Sequence, residues 1–361
     1  MKTDRGADDK VAEALELQHI YCTRMGAPIT ARVVQGIADA LDDSTDVGRR
    51  ICDWPDDPTA DGLPLRIVGG LHALAQSGDA PELAAVFAGE TSDASAVAEV
   101  VGRAFAAHGP AIQPYLDRPP QTNEMGRSGP LMLGLMQVVR RFGQPIELLE
   151  IGSSAGLNLL IDRLHYDLGG VETGPKDAPL TIRPEWQGIP PEPVEVRFAS
   201  VRGVDVAPVD ATDPASAARL RAYIWADNVE RAARLNAGIA LMRDHPVVVE
   251  QGDAADWVEA RLAEPQAAGV TRVLMHSVVL QYLGKERRRR IESAMYAAGA
   301  KATAQRPLAW VVMEPHRSRK PRMEVWVQTW PGDGPKKLAH CQAHGAWIDT
   351  TCGDQEAPAF L

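Results

Sequence analysis

Residues 146–158, IELLEIGSSAGLN, constrain this chain more than any other stretch. Residues 146–151 are a short apolar run rich in Ile and Leu, of strand length. The chain then passes Glu150-Ile151-Gly152, two serines and an alanine to reach Gly156. Beyond it Leu157, Leu160, Ile161 and Leu164 recur at helical spacing. The grammar is strand, tight glycine turn, helix. Glycine belongs where the backbone turns sharply or lets a partner approach, so Gly152 is expected to leave room for a ligand. A helix N-terminus offers backbone amides to an anionic or hydroxyl-rich ligand. An ordinary α/β strand-to-helix turn has the same grammar, and the dinucleotide spacing GxGxxG is absent. The acidic Glu150 and the order of the later elements tilt the reading toward a ligand site.

The chain is 361 residues long, enough for two domains or for one with an appendage. It has no run of 18 apolar residues, so a membrane span is not expected. The start, MKTDRGADDK, lacks the apolar core of a signal peptide. Cys22, Cys52, Cys341 and Cys352 form no CxxC pair, which fits a reducing cytoplasmic setting. A net charge of -10 argues against general nucleic-acid binding and leaves a local basic patch open.

Residues 11–116 read as helices. Val11, Leu15 and Leu17 open one amphipathic segment, residues 31–41 form another, and Leu65, Val68, Leu71 and Leu74 recur in a third. Pro81 suits a first helical position, residues 94–108 continue the pattern, and the acidic CDWPDDPTADG of residues 52–62 reads as a loop. A helical domain or cap over residues 1–125 follows. Its last part, PPQTNEMGR, is polar and precedes a helix at 131–141. Thr122 or Asn123 would cap that helix, or Asn123, Glu124 and Arg127 would line a pocket for substrate.

From residue 146 the order is strand, helix, a Pro- and Gly-rich insertion at about 167–200, then strands alternating with helices, and a closing hairpin. TIRPEW and VEVRFASV are expected as short strands of the insertion, and residues 201–208, VRGVDVAP, as a core strand ending at a site. Residues 215–243 read as helix broken near Trp225, and 247–250, 270–274 and 308–313 as buried strands. Residues 324–330 and 337–349 flank a turn at PGDGP and form the hairpin. Alternation of this kind implies an α/β fold over residues 126–361, a doubly wound, mostly parallel sheet with one antiparallel hairpin.

A parallel sheet finishing in a hairpin resembles the Rossmann-like class I S-adenosylmethionine-dependent methyltransferases, and three motifs extend the resemblance. Glu150 to Gly156 looks like their first motif, acidic-x-Gly-x-Gly-x-Gly, with Ser154 in place of the middle glycine. Asp205 in GVDVAP resembles the acid that holds the ribose hydroxyls, and Asp253 in GDA the one that contacts adenine. The resemblance therefore implies S-adenosylmethionine held by Glu150, Gly152, Ser153, Ser154, Gly156, Asp205 and Asp253. A finer resemblance is to the bacterial family DUF2332, through QTNE, LLEIGSSAGLNLL, RGVDVAP, HSVVLQYL and AHGAWID. It implies the same fold and brings no activity with it.

Methyl transfer needs alignment, and a base where the acceptor must lose a proton. His276, after the strand at 270–274, is the expected base, with Glu314 and His316 weaker candidates of the same kind; a structural histidine capping the next helix is the ordinary alternative. Tyr282 is a candidate substrate contact. His340 and His344 lie about 13 Å apart on a strand, too far for one metal. Arg287 to Arg290 point different ways on a helix, and the loop cluster Arg317, Arg319, Lys320 and Arg322 reads as a solvated loop before an anion site. The expected function is methyl transfer to a small molecule, against the rival of a non-catalytic protein that binds a nucleoside-type ligand or a protein partner.

Overall fold

The structure is a computed structural model that describes residues 5–315, 322–332 and 334–351. The chain forms two compact units, residues 1–122 with 213–233, and residues 123–212 with 234–361. The sequence reading gave everything from residue 126 to the α/β part; here residues 213–233 pack with the N-terminal helices. No described helix is long and apolar enough to cross a membrane.

The first unit is helical. It holds α1 (Arg5–Arg24), α2 (Pro28–Ala40), α3 (Asp46–Cys52), α4 (Leu63–Ser77), α5 (Pro81–Phe87) and α6 (Ala94–Leu116). Its central helix is α4, whose Leu63, Ile67, Leu71 and Leu74 are buried together with residues of every other face. A helix apolar all round is stable only when surrounded. Pro81 stands at the start of α5 as expected. Asp227, from the returning segment, accepts hydrogen bonds from the Ile29 and Thr30 amides at 2.8 and 2.9 Å. It caps α2 from almost two hundred residues away, a task the sequence near α2 leaves open because Ala27 has no side-chain oxygen.

The second unit is α/β. After α7 (Ser128–Phe142) and β1 (Ile146–Ile151) come β2 (His165–Asp167), β3 (Glu172–Thr173), β4 (Thr181–Ile182), β5 (Glu185–Gln187) and β6 (Phe198–Asp205). The chain passes through the helical unit in α8 (Pro214–Ala222) and the start of α9 (Val229–Asp244), then goes on through β7 (Val249–Gln251), α10 (Ala254–Ala263), β8 (Thr271–Ser277), α11 (Lys285–Gly299) and β9 (Leu308–Pro315). It closes on β10 (Met323–Trp330), β11 (Lys336–Cys341) and β12 (Trp347–Asp349). The nine-stranded sheet runs β5-β12-β11-β10-β9-β8-β1-β6-β7. β7, β6, β1, β8 and β9 are mutually parallel; β10 pairs antiparallel with β9 and β11 with β10. From β1 the chain builds outward through β6 and β7, then returns to build through β8 and β9. The reversal lies between β1 and β8, and sheets of this kind open a crevice at that point, beyond the C-terminal ends of the strands.

Both faces of the sheet are covered. Leu149, Ile151, Leu274, Trp310 and Val312 share a core with Trp257 and Val258 of α10 and Ile291 and Met295 of α11. Strand alternation turns Leu148, Glu150, Val273, Met275 and Val311 the other way. There Gly134 of α7 packs so closely that a β-carbon on it would overlap Val311.

Three sequence expectations change. Parts of VEVRFASV and VRGVDVAP form one strand, β6, because Phe198 to Val204 pair along the whole of β1 with a one-residue irregularity at Ala199. The insertion therefore ends before Phe198; it contributes the three-stranded sheet β3-β2-β4 and the edge strand β5. LNLLIDRL forms a seven-residue 3₁₀ segment, Leu157–Arg163, in place of an α-helix. Its first five residues are all buried, so the run has no solvent face along which to extend as an amphipathic helix. The returning hairpin partner is divided into β11 and β12.

Candidate functional site

The glycine turn sits where β1 ends beside β6. Gly152 and Gly156 hold φ of 69° and 75°, and Ser154 holds 52°, all in the left-handed region. A middle residue with positive φ is what glycine serves at no cost, and Ser154 adopts it against its own preference. Asp205 is what holds it: its Oδ2 accepts from the Ser154 amide at 2.8 Å, and its Oδ1 from the Ala207 amide at 2.9 Å.

The turn does not offer a cradle of free amides, contrary to the sequence expectation. The Gly152 and Ser153 amides donate to the Val204 carbonyl, and the Gly156 amide to that of Ser153. The Leu157 amide donates to Asn123 Oδ1 at 2.7 Å. Asn123 thus caps the segment after the turn, and α7 is entered through a short 3₁₀ turn, Met125–Arg127, whose cap is Glu124. Parallel pairing of β1 with β6 draws the amides inward, so an anion has few donors left.

What remains open is a set of acceptors. Glu150 Oε2, Ser154 Oγ and Asn158 Oδ1 are buried without a hydrogen-bond partner among the described residues. Buried polar groups are paired in the great majority of cases, so each of these is an exception. Glu150 is 2% exposed. Burial pushes its carboxyl up to about 7; Ser153 and Arg127 oppose the shift and Asp205 adds to it. Ser153 Oγ also donates to the Glu150 carbonyl at 3.2 Å. An uncharged carboxyl is the form that a buried, unpaired site favours. Asn158 escaped the sequence reading; the one polar side chain in the buried run LNLLI was the signal for it.

The other expected residues fare differently. Glu124 Oε1 accepts from the Gly126 amide at 3.0 Å and from Arg234 Nε at 3.2 Å, a part-buried ion pair. Arg127 Nε donates to the Ala343 carbonyl at 3.0 Å. Asp253, at the end of β7, caps α10 through the Ala255 and Asp256 amides and is paired with Arg287. Burial pushes its carboxyl up, but Arg287 and the two amides outweigh that and hold it below its ordinary value. Both its oxygens accept bonds from the protein, so an adenine amine would have to share them, as a ribose would have to share those of Asp205.

His276 is 0% exposed and faces the α10–α11 side with Leu274 and Trp310. Its Nδ1 lies 2.8 Å from Glu314 Oε1; the carboxylate accepts, so Nδ1 carries the hydrogen. The same oxygen accepts from the Val279 amide at 3.0 Å and the Leu280 amide at 3.4 Å. Neither His276 Nε2 nor Glu314 Oε2 has a partner among the described residues. His276 and Glu150 belong to opposite faces of the sheet, so they do not converge on one reacting atom. Tyr282 is 75% exposed beyond the same turn. His316 and Arg317, Arg319 and Lys320 lie outside the described residues. His340 is bound to Glu324 at 3.3 Å.

Gly152 has a neighbour of its own. A β-carbon on it would overlap Val279 Cγ2, so its space is already required by the protein's packing rather than held open for a ligand.

The fold and the turn define an α/β protein whose candidate site lies at the C-terminal edge of a parallel sheet. The chain belongs to the family described as uncharacterized protein conserved in bacteria, DUF2332, whose model matches residues 12–350. No curated protein and no solved structure matches it.

Proposed function

We propose that this protein binds S-adenosylmethionine at the glycine turn and transfers its methyl group to a small-molecule acceptor. The observation that carries the reading is the set of unpartnered buried acceptors, Glu150 Oε2, Ser154 Oγ and Asn158 Oδ1, around the turn that follows the first parallel strand. A ligand rich in donors, an ammonium group and ribose hydroxyls, suits the Asn158 oxygen and the Ser154 hydroxyl, and a cationic group would draw Glu150 into its ionised, accepting form. Support also comes from the strand order. Numbered along the chain, the parallel strands lie 3-2-1-4-5, the order of Rossmann-like sheets, which bind nucleotides at the reversal. Asp205 would add its remaining lone pairs to the ribose side. The cofactor supplies an electrophilic methyl group; the protein need only orient the acceptor and receive its proton.

One observation favours binding without transfer. His276, the expected base, is sealed beneath Trp310 and shows no surface to an acceptor. Calorimetric titration with S-adenosylmethionine and S-adenosylhomocysteine tests the reading. A ligand at a hundred times its Kd should raise apparent stability by about 2.7 kcal/mol. No heat and no thermal shift with either compound would overturn the assignment. Binding followed by no methyl transfer to any acceptor, in wild type alone, would favour the second reading.

A further inference from the structure

The turn after β8, residues 277–283, combines three features that the proposed site does not use. Val278 holds φ of 55°. For a β-branched side chain this is an outlier, because its Cβ crowds the backbone there. Val279, next along, packs its Cγ2 against the bare α-carbon of Gly152. Glu314 fixes the turn in that position: one oxygen accepts from the Val279 amide, the Leu280 amide and His276 Nδ1 together. A strained residue persists only where its surroundings hold it, and such residues gather at clamps and switches.

We propose that Val279 is the residue that decides what can lie against the glycine turn, and that Glu314, supported by His276, latches it there. This rests on the reading of the turn as the ligand site. The unpartnered acceptors near the turn are buried, so a ligand reaches them only when something above the turn gives way. Val279 is the side chain in contact with the first glycine. Withdrawing it lets Val278 leave the left-handed region, so strain favours the open form while Glu314 favours the closed one. Ligand affinity is then reduced by the fraction of molecules in which Val279 is withdrawn. Val279 and Glu314 are positioning residues in this scheme; neither touches the reacting atoms.

The test compares wild type, Val279→Ala and Val279→Ile in titration with S-adenosylhomocysteine, with thermal melts to confirm that each folds. Removing the side chain should tighten binding by about tenfold or more, and enlarging it should weaken binding by a similar factor. Equal, measurable affinities in all three proteins would overturn the role of Val279 while leaving the ligand site in place. No binding by any of them would overturn the site and the gate together. If Val279→Ala fails to fold, the isoleucine variant decides, since unchanged affinity there is incompatible with a steric gate. Hydrogen exchange reads the latch separately. In Glu314→Ala the Val279 and Leu280 amides should exchange at least about tenfold faster than in wild type. Unchanged exchange would remove Glu314 from the mechanism.

Discussion

The two units differ in how many buried polar atoms they leave unpaired, although the α/β unit also holds bonded ones such as Glu124 and Arg272. In the helical unit Thr30, Arg66 and His72 are buried, and each is bonded within the protein. Thr30 Oγ1 donates to Asp227, Arg66 to the Asp61 and Leu116 carbonyls, and His72 lies 3.2 Å from the Ala222 carbonyl. In the α/β unit Glu150, Ser154, Asn158, His276 and Glu314 each keep an atom without a partner among the described residues. A buried group left unpaired costs about 1–3 kcal/mol, so a unit that keeps several holds them against stability. The difference marks the helical unit as a satisfied framework and the α/β unit as the place where polar groups are kept available.

The largest expected effect is at Glu150. Its carboxyl holds a proton up to about pH 7 in the folded protein, against an ordinary value of 4.5. Between those values the unfolded chain binds fewer protons than the folded one. Stability should therefore fall as pH rises through that window and level off above it, by roughly 3 kcal/mol in total. Glu150→Gln should lack this slope. Urea unfolding at pH 4.5, 6 and 8 measures it in both proteins; matching slopes would show that Glu150 is ionised and satisfied after all, and the comparison would lose its strongest member.

Next comes the framework. Asp227→Ala removes the cap of α2 and leaves two amides and a hydroxyl without their acceptor, at a cost of about 2 kcal/mol. A loss within about 0.5 kcal/mol of zero would mean that water replaces the carboxylate. The helical unit would then be less tightly satisfied than its contacts indicate.

The smallest effect is at the turn. Ser154→Gly should stabilise the protein by about 1 kcal/mol, since glycine takes a φ of 52° without the crowding that serine meets. If the serine hydroxyl serves a ligand, the variant should also bind S-adenosylhomocysteine more weakly. Greater stability with unchanged affinity would show that the unpartnered Oγ is incidental.

Much of the framework could be read from local pattern. Period-3.6 runs announced α1, α2, α4 and α6, Pro81 announced the start of α5, and apolar runs announced β1, β7, β8 and β9, because side-chain burial repeats with the period of the element; the short α3 was not announced. The glycine turn was legible for the same reason: Gly152 and Gly156 mark sites of positive φ. Partners distant in sequence were not legible. Asn123 looks like the cap of the helix that follows it, and in the structure it bonds Leu157. Asp253 looks like a ligand contact and is an α10 cap tied to Arg287. Polar side chains carry no period, so nothing near them in the chain names their partner.

The sequence by itself determined the class of each unit, the parallel strands and the turn between β1 and the 3₁₀ segment, all of which follow from local periodicity and backbone preference. The tertiary structure alone decided that β6 is one strand, that the turn's amides are spent on β6, and that Val279 rests on Gly152. It alone set Glu150 and His276 on opposite faces of the sheet. Those outcomes depend on strand register, and register is a relation between segments that a one-residue slip would reverse.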